Sequence, residues 1–70
     1  MDLSIAEIGK EYIIKSVSSG DSEMDSFLFS LGCYSGEPIT VINRMKNACI
    51  VVIKDGRYTI DKNLAKHIKI

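Results

Sequence analysis

The sequence predicts a small, mainly β protein with one helical insertion, folded as a strongly bent barrel of about five short strands. Three observations carry this. Short runs of β-branched and aromatic residues recur along the chain, with Gly, Asp, Asn or Ser at the junctions between them. Helical periodicity is sustained in one mid-chain stretch only. Seventy residues, 46% of them hydrophobic, suffice for one core and one domain over 1–70, with about 60% of the unfolded surface buried.

Residues 2–9 read as a helical turn capped by Asp2 or Ser4 and ended by Gly9, with Leu3, Ala6 and Ile5 as candidates for the core. Glu11 to Val17 reads as the first strand, and Ser18-Ser19-Gly20-Asp21 as a turn. Met24, Phe27, Leu28 and Leu31 then fall at i, i+3, i+4 and i+7, the spacing of one helix face, so all four are expected in the core. Asp21 or Ser22 caps this helix, and Gly32 suits the left-handed residue that closes it. Pro38 to Met45 alternates as a strand, with Ile39, Val41 and Met45 inward and Asn43 interrupting the apolar face. Cys49 to Lys54 is a near-continuous apolar run, as in a strand covered on both faces. Asp55-Gly56 predicts a type I′ hairpin turn with positive φ at both residues, returning through Tyr58 to Ile60. Asp61 caps a single helical turn through Ala65, and Lys66 to Ile70 forms the last strand with Ile68 and Ile70 inward and His67 and Lys69 outward.

The chemistry-bearing residues are sparse. Nine basic and nine acidic side chains give zero net charge, so the chain lacks the basic excess with which proteins neutralise nucleic-acid phosphates. No Gly-rich phosphate loop and no Ser/His/Asp set is present, and a chain this short leaves few residues to enclose a deep pocket, so no enzyme is expected. Cys33, Cys49 and His67 are the only candidates for a transition-metal site, such as one for iron(II), but they lack the paired spacing of a metal set. They read as two small buried hydrophobes and one solvated imidazole, and no resident cofactor is expected. No apolar run reaches the roughly 18–20 residues of a membrane span and no secretory signal is evident, so a cytoplasmic protein with reduced thiols is expected. Phe29 falls off the apolar helix face; it either packs beneath the Ser35-Gly36 turn or joins Tyr34 in a contact patch for another protein.

The run Leu28-x-x-Leu31-Gly32-Cys33-x-x-Gly36-x-x-Ile39-x-Val41 resembles the core motif of FeoA domains. Leu3 with Gly9 resembles the opening turn of that family, and Tyr58-x-Ile60 followed by Ala65-x-x-Ile68-x-Ile70 resembles its closing segment. The resemblance implies an SH3-like β-barrel with a helical insertion. It further implies a cytosolic accessory role in ferrous iron uptake, with the transporter FeoB as partner, contacted through its cytoplasmic GTPase domain. Ser35 stands where the family commonly has proline, Asp25 and Ser26 replace basic residues near the helix start, and the loop Met45-Lys46-Asn47-Ala48 is short.

On this reading the partner-contacting residues are Phe29, Ser30, Cys33, Tyr34, Ser35 and Glu37. A metal-responsive domain using Cys33, Cys49 and His67 is the alternative. Arg57 and Arg44 are the only side chains available for a GTPase-activating arginine. A homo-oligomer is left open by the apolar strand at Cys49–Ile53.

Overall fold

A computed structural model describes the whole chain, Met1–Ile70. The expected first strand is two strands. β1 (Glu11–Ile13) pairs antiparallel with β3 (Pro38–Arg44), whereas β2 (Ser16–Val17) pairs with β6 (Ile68–Lys69). Between them the chain turns a corner. The Ile14 N–H donates to the Glu37 carbonyl at 2.9 Å, and the Lys15 N–H to the Lys69 carbonyl at 2.7 Å. The corner drops Ile14 into the core and leaves Ile13 exposed, which is how one strand serves two sheets without leaving backbone groups unpaired.

The larger sheet runs β1-β3-β4-β5, with β4 at Ala48–Ile53 and β5 at Gly56–Asp61, and the smaller is β2-β6. Together they form a half-open barrel that does not close. Buried Ile39 and Val41 of β3, Cys49, Val51 and Ile53 of β4, and Ile60 of β5 line its interior with Leu3, Ala6, Ala65, Ile68 and Ile70. In β4 the inner residues are fully covered, and Ile50 and Val52 on the other face are half-buried. The short α2 (Lys62–Ala65) is capped by Asp61 as expected, and a 3-10 turn at Leu3–Ile5 is capped by Asp2. Ile5 points to solvent rather than to the core. No helix is long and apolar enough to cross a membrane.

Two phase errors have a physical cause. In β3 the register slips between Val41, opposite Val51, and Asn43, opposite Ile50. Ile42 is therefore the extra residue of a β-bulge, and the alternation inverts beyond it. Arg44, opposite Cys49, takes the inward phase and its guanidinium donates to the Ala6 carbonyl, while Met45 is turned out. At the β4–β5 hairpin the loop is Lys54-Asp55, one residue earlier than expected, with Ile53 opposite Gly56. Lys54 takes φ 55°, and Gly56 does not take positive φ. Gly56 is needed for space instead: a Cβ there would lie 2.7 Å from Cζ of Tyr58.

The insertion α1 (Ser22–Ser30) lies with its end beside the β4–β5 hairpin and its start near Asp61 and Leu64. Its expected apolar face is not its buried face. Leu28 alone is fully buried, Leu31 is half-buried, and Met24 and Phe27 are 41% and 51% exposed. The first turn of α1 is tied to the turn that precedes it: Oδ1 of Asp25 accepts from the Ser19 N–H at 3.0 Å and from the Ser19 hydroxyl at 2.8 Å. Leu28 is the side chain the helix buries, and Phe27 faces solvent.

Candidate functional site

The C-terminus of α1 closes with the hydrogen bonds of a Schellman motif. The Gly32 N–H donates to the Phe29 carbonyl and the Cys33 N–H to the Leu28 carbonyl, both at 3.0 Å, with Gly32 at φ +95°. Cys33 and Leu28, joined across this motif, are both buried. A tight turn follows. The Glu37 N–H donates to the Tyr34 carbonyl at 3.1 Å, and Gly36, at φ +92°, donates to the Ile14 carbonyl at 2.8 Å. The two glycines thus fold Tyr34 back toward the last turn of α1.

Phe29 meets it there. The rings lie 4.8 Å apart between centroids at 35°, a tilted pair within the usual aromatic range. Phe29 is 63% exposed, so it does not pack beneath the Ser35-Gly36 turn. The Lys54 ammonium sits 5.4 Å from the Tyr34 ring centroid and 3.3 Å from Oε2 of Glu37. Tyr34 first, and Glu37 after it, hold this lysine in its charged form and raise its pKa above the ordinary 10.5. The aromatic pair forms a ridge between two hollows. One, an open groove of about 700 Å³, runs between the end of α1 and the β4–β5 hairpin and is walled by Tyr58. The other, about 340 Å³, lies toward Lys15, Val17 and Asp25.

Of the expected contact residues, the structure gathers Phe29, Ser30, Tyr34, Ser35 and Glu37 on this one face: Phe29, Ser30 and Ser35 are exposed, Tyr34 and Glu37 half-buried. Cys33 is a correction. Its side chain is 2% exposed, because the C-cap geometry points it at the core beside Leu28, and it supports the ridge from behind. Lys54 and Tyr58 complete the face and were not identified from the sequence. Nothing in their local pattern places them near Phe29; the hairpin does.

Cys33, Cys49 and His67 are not brought together. Cys33 borders the hollow beside Tyr34, while Cys49 borders a separate cavity of about 70 Å³ with Arg44 and Lys62. Burial pushes the Cys33 thiol up to about 11, and raises that of Cys49 against the opposing charge of Arg44. His67 is exposed. No three His, Cys, Asp or Glu side chains are grouped so as to hold a metal ion. Arg44 is committed to the Ala6 carbonyl, and Arg57 is solvated beyond the hairpin.

Solved structures share this architecture. The crystal structure of an iron uptake regulatory protein, FeoA, superposes with a TM-score of 0.87 at 25% identity, over 97% of this chain and 91% of that one. The zinc complex of Stenotrophomonas maltophilia FeoA, described as a prokaryotic SH3 domain protein proposed as a ferrous iron transport activating factor, matches at 0.83 and 20% identity, over 97% and 86%. A manganese-dependent transcriptional repressor matches at 0.87 and 18% identity; the chain covers 39% of its length. The architecture is thus SH3-like, as the sequence motifs implied. No curated protein sequence matches the chain. The family model of the FeoA domain extends over residues 1–70, and with that match from end to end the chain belongs to the FeoA domain family.

Proposed function

We propose that this protein is a cytoplasmic accessory factor of ferrous iron transport that docks through the Phe29–Tyr34 ridge onto the cytoplasmic GTPase domain of a FeoB-type transporter and biases its cycle. One observation carries the reading: a large aromatic side chain, 63% exposed, packs against a second ring at the edge of an open groove. Such anchors supply contact area at little entropic cost, and aromatic residues are enriched in protein contacts. Ser30, Ser35 and the Glu37–Lys54 pair provide the polar rim. Two similar FeoA proteins, described as an iron uptake regulator and a proposed transport activator, support the cellular context. On this reading the protein carries no chemistry of its own and acts by shape.

The test is capture of the transporter's soluble GTPase domain by the purified protein. Phe29→Ser and Tyr34→Ala, each shown to fold, are expected to abolish capture and to lower ferrous iron uptake in cells. Unchanged capture by both variants would show that this face is not the docking surface.

A further inference from the structure

The barrel leaves one long edge open. β5 pairs with β4 without a bulge over all six residues, Gly56–Asp61, and has no strand on its other side. Across the two-residue hairpin, Gly56, Tyr58 and Ile60 direct their N–H and C=O groups at β4, so those of Arg57 and Thr59 point outward. None of the backbone hydrogen bonds outside the helices and ladders reaches residues 56–61. The other strands are protected differently: β1 has three residues, and β2 and β6 two each. Short length blunts an edge; β5 is six residues long, has no Pro and no bulge, and its charges are one of each sign, Arg57 and Asp61.

The side chains along this edge are self-complementary. Arg57, Thr59 and Asp61 lie on one face and are all exposed. Arg57 makes no ion pair, since the protein's only one joins Lys54 and Glu37. Asp61 uses Oδ1 to cap α2, accepting from the Asn63 N–H at 2.7 Å, and Oδ2 remains free. If two β5 strands meet antiparallel about a two-fold axis through Thr59, Thr59 faces its own copy and Arg57 faces Asp61 of the second chain, twice. Opposite charges and Thr–Thr pairs are both favourable across strands.

A second feature follows the same edge. The exposed stripe of α1 runs beside β5. Met24 at one end borders a hollow with Asp61 and Leu64, and Leu31 at the other borders the groove with Gly56 and Tyr58. The two-fold axis that pairs the strands sets the α1 helices of the two copies antiparallel on one side of the seam, with Met24 of each near Asp61. Phe29 lies roughly 160° around the helix from Phe27, on the other side of α1 from the stripe.

From this we infer that the protein forms a symmetric homodimer through the β5 edge, with the Met24–Phe27 stripe of α1 covering the seam. A C2 contact of this kind requires one patch to complement itself, and the order Arg57-x-Thr59-x-Asp61 does so.

Analytical ultracentrifugation of the full chain tests it. The wild type is expected to show a reversible monomer–dimer equilibrium. Arg57→Asp and Asp61→Lys each place like charges opposite one another and are expected to weaken the dimer by about tenfold or more. Mixed, they are expected to re-form it, because each altered charge then faces its opposite in the other variant. Asp61→Asn retains a capping side chain and is expected to weaken the dimer with an unchanged circular dichroism spectrum. Thr59→Pro removes an outward N–H and is expected to give monomers. Should Asp61→Lys not fold, the Asn and Pro variants decide. A wild type that stays monomeric at millimolar concentration would overturn the inference, even if its β5 edge captures a strand of another protein. So would a dimer indifferent to Thr59→Pro, or a mixture of folded Arg57→Asp and Asp61→Lys that stays monomeric.

Discussion

Leu28 and Phe27 are adjacent, both apolar, and differ in almost everything the fold does with them. Leu28 is fully buried and Phe27 is 51% exposed. Leu28→Ala is therefore expected to cost about 2–5 kcal/mol in urea denaturation, whereas Phe27→Ala should stay within about 0.5 kcal/mol for the monomer. Gly32 is constrained twice. Its φ of +95° suits glycine, and a Cβ would lie 3.0 Å from Cε of Lys54 and 3.2 Å from Cγ2 of Ile53. Gly32→Ala is expected to lose roughly 1–2 kcal/mol from the left-handed backbone. It should also disturb Lys54 and with it the ridge. Asp25 is read through pH. The Ser19 backbone N–H and hydroxyl donate to its carboxylate and hold its pKa below the ordinary 3.8. Below 3.8 the unfolded chain takes up this proton before the folded one does, so the contribution is present above 3.8 and is lost as pH falls through the lowered value. Asp25→Asn should accordingly flatten the acid limb of a stability–pH profile measured by urea unfolding. Of these residue-level facts, Leu28 and Gly32 were legible in the sequence, because a helical period and a glycine stop are local signals. Phe27 was misplaced because an apolar period by itself does not fix which side of α1 meets the barrel, and the structure buries Leu28 while leaving Phe27 exposed.

At the scale of elements, caps and turns follow local chemistry closely. Asp21 accepts from the Glu23 and Met24 N–H groups at 2.9 and 3.4 Å, as an N-cap should. Asp21→Ala is expected to cost about 1 kcal/mol in the same denaturation measurement. The strands were legible as strands, yet three of their details were not. The corner at Ile14 and the bulge at Ile42 depend on partners further along the chain, and the hairpin loop falls one residue early because the cross-strand register sets Ile53 opposite Gly56. Asn43 on an otherwise apolar face was the one visible trace of the bulge.

For the whole molecule, the disposition of the thiols is a direct check on the barrel. Both cysteines are free and buried. With burial raising both pKa values, they are expected to resist a thiol-specific reagent at pH 8 in the native state and to react fully in denaturant. Because no donor set is assembled, anaerobic titration with iron(II) or zinc is expected to show no stoichiometric binding.

The order of residues along the chain was enough to define a mainly β barrel with one helical insertion, its caps and glycine stops, and the motif that links it to FeoA domains. These depend on periodicity and local turn chemistry, which act within a few residues. The tertiary structure alone decided that Cys33 lies behind the ridge and Phe29 on it, that Lys54 and Tyr58 join the groove, and that β5 has an open edge beside an apolar helix stripe. Such features arise where segments distant in sequence meet, and a side chain's exposure there is set by its neighbours in space.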